Sequence, residues 1–228
     1  ATTGGLNGTP PGSLDAYWTI FIKSVLDIPD LLVGVFGTWS LGWFDTPVSP
    51  TVPFLAFAAF AAAIWVGLGA TRGRLAIAAG LAFAAAWAFP LLLVMQTQTT
   101  VGEYVQPRYA LPLVMVFAMT AMAGLAARRP LPHLSTAQCV VGVVALGGAS
   151  AVAMHSTIRR YISGTDLSGA NLSSQVEWWW TPLAIASPMV VWLIASAASA
   201  IAVFAILTPP HDDPDATAIL APRDAARV

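Results

Sequence analysis

Residues 75–95 and 109–127 are two apolar runs, each long enough to cross a hydrocarbon core, which takes ~20 residues of helix. The stretch that joins them is polar: Glu103-Tyr104-Val105-Gln106-Pro107-Arg108-Tyr109-Ala110-Leu111-Pro112. No other feature constrains the fold as much, because a chain that crosses a bilayer must do so as helix and must turn where water can satisfy its backbone. Arg108 and Glu103 are therefore expected at a membrane surface, and the chemistry of the protein is expected on that side.

Composition extends this to the whole chain. Of 228 residues, 57% are hydrophobic and 9% charged, and the mean hydropathy is +0.73. A soluble domain needs a polar surface that such a chain cannot supply, so an integral membrane protein is expected. Ten basic residues stand against eleven acidic ones. No basic face is left over for a nucleic-acid backbone, and nucleic acid is not an expected partner. Cys139 is the single cysteine, so no intramolecular disulfide can form. The abundance of Ala, Gly, Arg and Pro suggests a bacterial source.

Residues 1–14 read as a Gly/Thr/Pro linker, which points to a missing N-terminal half of the same protein as the first partner. In residues 15–27, Trp18, Phe21, Ile22, Val25 and Leu26 fall at helical spacing with Lys23, Ser24 and Asp27 elsewhere, as in a helix lying at the membrane interface. Ile20 falls outside that stripe, and Pro29 is expected to end the helix. Residues 31–44 are apolar but short for a crossing and broken by Gly34, Gly37 and Gly42, which suits a re-entrant or interfacial segment. Residues 15–50 together read as an extracytoplasmic interfacial segment.

Five spans follow, at about 51–70, 75–95, 109–127, 137–155 and 182–207. The expected fold is an all-α polytopic membrane helix bundle, with about five transmembrane helices beside the interfacial helix and the re-entrant or interfacial segment. Runs of small residues such as Ala61-Ala62-Ala63 favour close helix contact. Arg72, Arg74, Arg128, Arg129, Arg223 and Arg227 fall on one side, six basic residues against four on the other. By the positive-inside rule the six mark the cytoplasm of a bacterial inner membrane, with residues 208–228 as a disordered cytoplasmic tail.

Candidate site residues come from the outer segments. Arg108 can fork two hydrogen bonds onto a phosphate, as a lipid-linked donor would need, or can serve as an interfacial anchor paired with Glu103. Arg159 and Arg160, in the outer loop of residues 156–181, run against the positive-inside trend and suit an anionic ligand or ordinary lipid headgroups. Trp178, Trp179 and Trp180 can stack on a sugar ring or form an aromatic belt. Asp45 and Glu103 are outer-face carboxylates that can act as base or metal ligand; Asp45, the candidate catalytic residue, is otherwise a turn or capping residue before Pro47. His133 and His155 stand alone in sequence, and no metal-ligand spacing is visible, so the metal set is empty although a divalent metal stays open as a cofactor.

Two stretches taken together, Gly42-Trp43-Phe44-Asp45-Thr46-Pro47 and Gln106-Pro107-Arg108-Tyr109-Ala110-Leu111-Pro112, resemble a bacterial family of predicted multi-spanning membrane proteins, a domain of unknown function. The family motif runs Gln-Gly-Arg-Tyr, apolar residues, then Pro; Gln106, Arg108, Tyr109 and Pro112 match it, and Pro107 stands where the family has Gly. Arg160-Tyr161 and Gly164-Thr165-Asp166 are similar to its last outer loop, and the resemblance runs over most of residues 31–207. In architecture that family is similar to the C-terminal half of GT-C type glycosyltransferases, membrane enzymes that take sugars from polyprenyl-phosphate carriers. The resemblance implies glycosyl transfer in cell-envelope polysaccharide assembly, with membrane lipid and a polyprenyl-phosphate sugar donor as partners. Arg108, with Arg159 or Arg160, would neutralise the carrier phosphate; Gln106 and Tyr109 would orient it; the tryptophans would face the sugar. The alternative is a non-catalytic membrane protein, an assembly partner or a lipid or polysaccharide translocation subunit.

Overall fold

The computed structural model describes residues 14–41, 46–102, 105–126, 134–164, 167, 169–179 and 187–208. Among them stand six α-helices: α1 Leu14–Val33, α2 Thr51–Ala70, α3 Arg74–Thr97, α4 Pro107–Ala126, α5 Thr136–Ser163 and α6 Pro188–Leu207. A π-helical turn, Gly34–Thr38, follows α1, and no strand occurs among the described residues beyond two isolated bridges. Helices α2 to α6 are each long and apolar enough to cross a membrane. The all-α multi-spanning fold expected from hydropathy is the one observed. The linker at 1–13, Asp45, Glu103, Trp180 and the tail beyond Thr208 lie outside the described residues.

Local chemistry sets the helix ends. Ser135 and Gln138 form a reciprocal capping box at the start of α5, which satisfies two amides that have no partner inside the helix. Ser187 caps α6 with Pro188 at its first position, where a missing N–H costs nothing. Pro107 opens α4 in the same way. Gly73, at φ +56°, makes the tight turn between α2 and α3.

The bundle is held by small residues. A Cβ on Gly67 would come within 2.8 Å of the Ala121 carbonyl oxygen, and one on Gly124 within 2.7 Å of the Thr71 Cα. Any side chain there would push α2 and α4 apart, so glycine sets their separation. The Thr71 hydroxyl closes the contact, 2.8 Å from the Gly67 carbonyl and 2.7 Å from that of Ala121. Helix α2 also packs on α5, α3 on α4, and α5 on α6, where Trp192 Nε1 donates to the Ala151 carbonyl at 2.8 Å. As successive helices alternate in direction, the described residues of 46–51, 97–102, 105–107, 163–164, 169–179 and 187–188 gather at one end of the bundle, called here the upper end.

The structure departs from the sequence reading at two helices. Helix α1 runs through Pro29 to Val33, with Pro29 on its exposed side. Its docked face is Ile20, Ser24, Ile28 and Leu31, all 5% exposed or less, whereas Trp18, Ile22 and Leu26 of the expected stripe are 56–71% exposed. Ile20, the residue that spoiled the stripe, marks the face that meets α3 and α4. Helix α5 runs eight residues past the expected end at 155, so Arg159 and Arg160 sit on helix rather than in a loop. Ile158 and Ile162 continue its i, i+4 pattern, and positive charge near a helix C-terminus is favourable.

Candidate functional site

In the last two turns of α5, His155, Ser156, Arg159 and Arg160 share one face at i, i+1, i+4 and i+5. They line a cavity of ≈ 200 Å³ together with Thr46, Pro47, Gly164, Leu167 and Gly169. Thr46 and Pro47 arrive from the segment before α2, more than a hundred residues away in sequence, because α2 packs on α5. Two arginines and a histidine thus share one small cavity, and no carboxylate is among the described residues that line it. Such a lining favours an anion and disfavours a cation.

Arg159 organises this site. It is only 7% exposed, yet it carries a permanent charge, so its guanidinium must find acceptors. Nη2 donates to the carbonyls of Gly169 (2.9 Å) and Asn171 (2.7 Å), and Nη1 to the Ser174 carbonyl and the Ser163 hydroxyl (both 3.3 Å). The loop after α5 therefore wraps around one buried cation. Its far end folds back onto the helix, where the amides of Glu177 and Trp178 both donate to the Ile162 carbonyl. Leu172, fully buried, and Ile162, 2% exposed, give the loop its apolar anchor. The remaining guanidinium donor, Nε–H, is buried without a partner.

His155 is the lining residue that sequence reasoning passed over. Its Nε2 lies 3.0 Å from the Ala170 carbonyl, and its ring meets Trp192 edge-on at 5.5 Å. The available signal was its position four residues before Arg159, which becomes meaningful only once α5 is known to continue that far.

The other candidates stand apart. Gln106, Arg108 and Tyr109 open α4, where Pro107 packs so tightly on Gly34 that a Cβ at Gly34 would lie 2.5 Å from the Pro107 Cγ. The Arg108 guanidinium carbon lies 5.3 Å from the centre of the Tyr109 ring, and Tyr109 is 48% exposed. Gln106 keeps a buried Oε1 without a hydrogen-bond partner. Nearby, Trp39 Nε1 donates to Asp30 at 2.9 Å and the Trp39 ring covers Gly102. Trp178 is exposed and Trp179 half-buried. Neither these tryptophans nor Gln106, Arg108 and Tyr109 line the α5 cavity. Among the described residues no cluster of three His, Cys, Asp or Glu side chains could hold a metal ion.

Residues 11–117 match the model of a family described as predicted membrane protein (DUF2142). The match takes in α1, both stretches that carried the resemblance, and Thr46 and Pro47 of the cavity, and ends within α4, before α5 begins. No curated protein and no solved structure matches the chain.

Proposed function

We propose, from the premise that residues 11–117 are those of a predicted membrane protein family, that this chain is the phosphate-binding membrane portion of a GT-C-like glycosyltransferase. Its ligand is a polyprenyl-phosphate sugar, used at the upper end of the bundle for cell-envelope polysaccharide assembly. The observation that carries this reading is the lining of the α5 cavity, with the permanent charges of Arg159 and Arg160 present and no carboxylate among the described lining residues. A lipid-linked phosphate offers the oxyanion such a lining favours, and its chain has apolar helix surface alongside.

On this reading Arg159 has a double task. Three of its hydrogen bonds hold the carbonyls of Gly169, Asn171 and Ser174 in the loop after α5, and its Nε–H and the Arg160 guanidinium stabilise the charge that builds on the phosphate as the sugar is transferred. The proposed base is Asp45, which directly precedes the cavity residue Thr46 in sequence, or a carboxylate outside this chain. Arg108, Gln106 and Tyr109 form a separate polar position, proposed to meet the carrier phosphate or headgroups as it approaches.

The test is binding of a polyprenyl phosphate to the protein in lipid nanodiscs, wild type against Arg160→Ala. A loss of about tenfold or more is expected, the size for removing one charged hydrogen-bond partner. Unchanged affinity in a folded variant would remove the phosphate from this cavity, and the reading with it.

A further inference from the structure

We infer that His155 is a hydroxyl-binding residue, which accepts a hydrogen bond from a hydroxyl next to the oxyanion of the same ligand and so selects a polyhydroxylated phosphodiester over a plain one. This rests on the anion-site reading above and supplies the second half of the ligand.

The first step is the tautomer. A carbonyl oxygen can only accept, so His155 Nε2, 3.0 Å from the Ala170 carbonyl, must carry a hydrogen. In the neutral ring the other nitrogen, Nδ1, is then an acceptor. No described residue makes a hydrogen bond to it. The ring is also held in place, by the Ala170 bond on one side and the edge of Trp192 on another, and Trp192 is itself tied to the Ala151 carbonyl. A fixed acceptor is presented at little entropic cost.

The second step is the neighbour. One helical turn on, Arg159 has spent four of its five N–H donors on the loop, and the fifth, Nε–H, is buried without a partner. Both residues line the same cavity. The spare N–H and the acceptor nitrogen thus belong to two residues that line one cavity, about 6 Å apart along the helix axis. A plain phosphodiester satisfies the donor and leaves the acceptor bare. A phosphodiester that bears a neighbouring hydroxyl satisfies both, as a sugar linked through phosphate does.

Two phosphodiesters of one short prenol provide the test, one esterified to methanol and the other to a hexose, titrated onto the full chain in nanodiscs. Neither changes charge between neutral and mildly alkaline pH, so only the hydroxyls differ. Wild type is expected to prefer the hexosyl ester by about tenfold, the discrimination of a site that would otherwise leave a polar group unpaired. His155→Phe is expected to abolish that preference and leave the methyl ester within about twofold of wild type. His155→Gln, whose amide can donate to Ala170 while its oxygen accepts, is expected to keep part of it. Thermal unfolding of both variants guards against loss through misfolding. Equal binding of the two esters by wild type, or identical behaviour of the Phe and Gln variants, overturns the assignment while leaving the anion site intact. Failure of wild type to bind either ester overturns the anion reading, and this inference falls with it.

Discussion

Arg108 and Arg159 both sit at the upper end of the bundle, and by residue type they are the same phosphate-seeking side chain; the fold treats them in opposite ways. Arg108 is the second residue of α4, where the helix dipole is positive and disfavours a cation, and its guanidinium lies beside the half-exposed ring of Tyr109. Arg159 lies in the last turns of α5, where the dipole favours a cation, and is buried under a loop whose carbonyls it binds. The same side chain is thus partly exposed beside a ring in one place and buried under a loop in the other.

Four measurements break or sharpen this contrast. Arg159→Ala is expected to have the largest effect, a loss of about 3 kcal/mol, because three carbonyls and a hydroxyl lose a charged donor together. It should appear as a lowered unfolding midpoint in detergent and as faster hydrogen exchange at the amides of Glu177 and Trp178. An Arg159→Ala protein as stable as wild type would erase the distinction. Arg160→Ala is expected to weaken polyprenyl-phosphate binding by about tenfold. On the other side of the comparison, Gly34→Ala is expected to cost about 1 kcal/mol, since its Cβ would meet the Pro107 ring at 2.5 Å and disturb the seat of α4. The smallest effect is expected from Arg108→Ala, less than about twofold in phosphate affinity. A loss there as large as that of Arg160→Ala would move the phosphate from α5 to α4.

The spans were legible in the sequence because hydropathy is local and additive: twenty apolar residues between turns identify a crossing helix wherever its neighbours lie. The small residues were legible too, although only the structure pairs Gly67 with Ala121 and Gly124 with Thr71. Helix α1 was half legible. Its apolar residues were visible, but two apolar faces competed, and packing chose the one that contains Ile20. The C-terminal end of α5 was the least legible part, since hydropathy falls after His155 while the helix continues on the strength of Ile158, Ile162 and the favourable placement of two arginines.

By itself, then, the sequence determined an all-α, multi-spanning chain, its turns, and the arginines that set its polar ends. The tertiary structure decided which arginine is buried, that His155 Nε2 meets the Ala170 carbonyl, and that Thr46 reaches α5 to complete a cavity. The physical reason is that membrane insertion is decided by the apolar content of one segment at a time. A binding cavity depends on where backbone acceptors from distant segments fall once glycine and alanine have let the helices close.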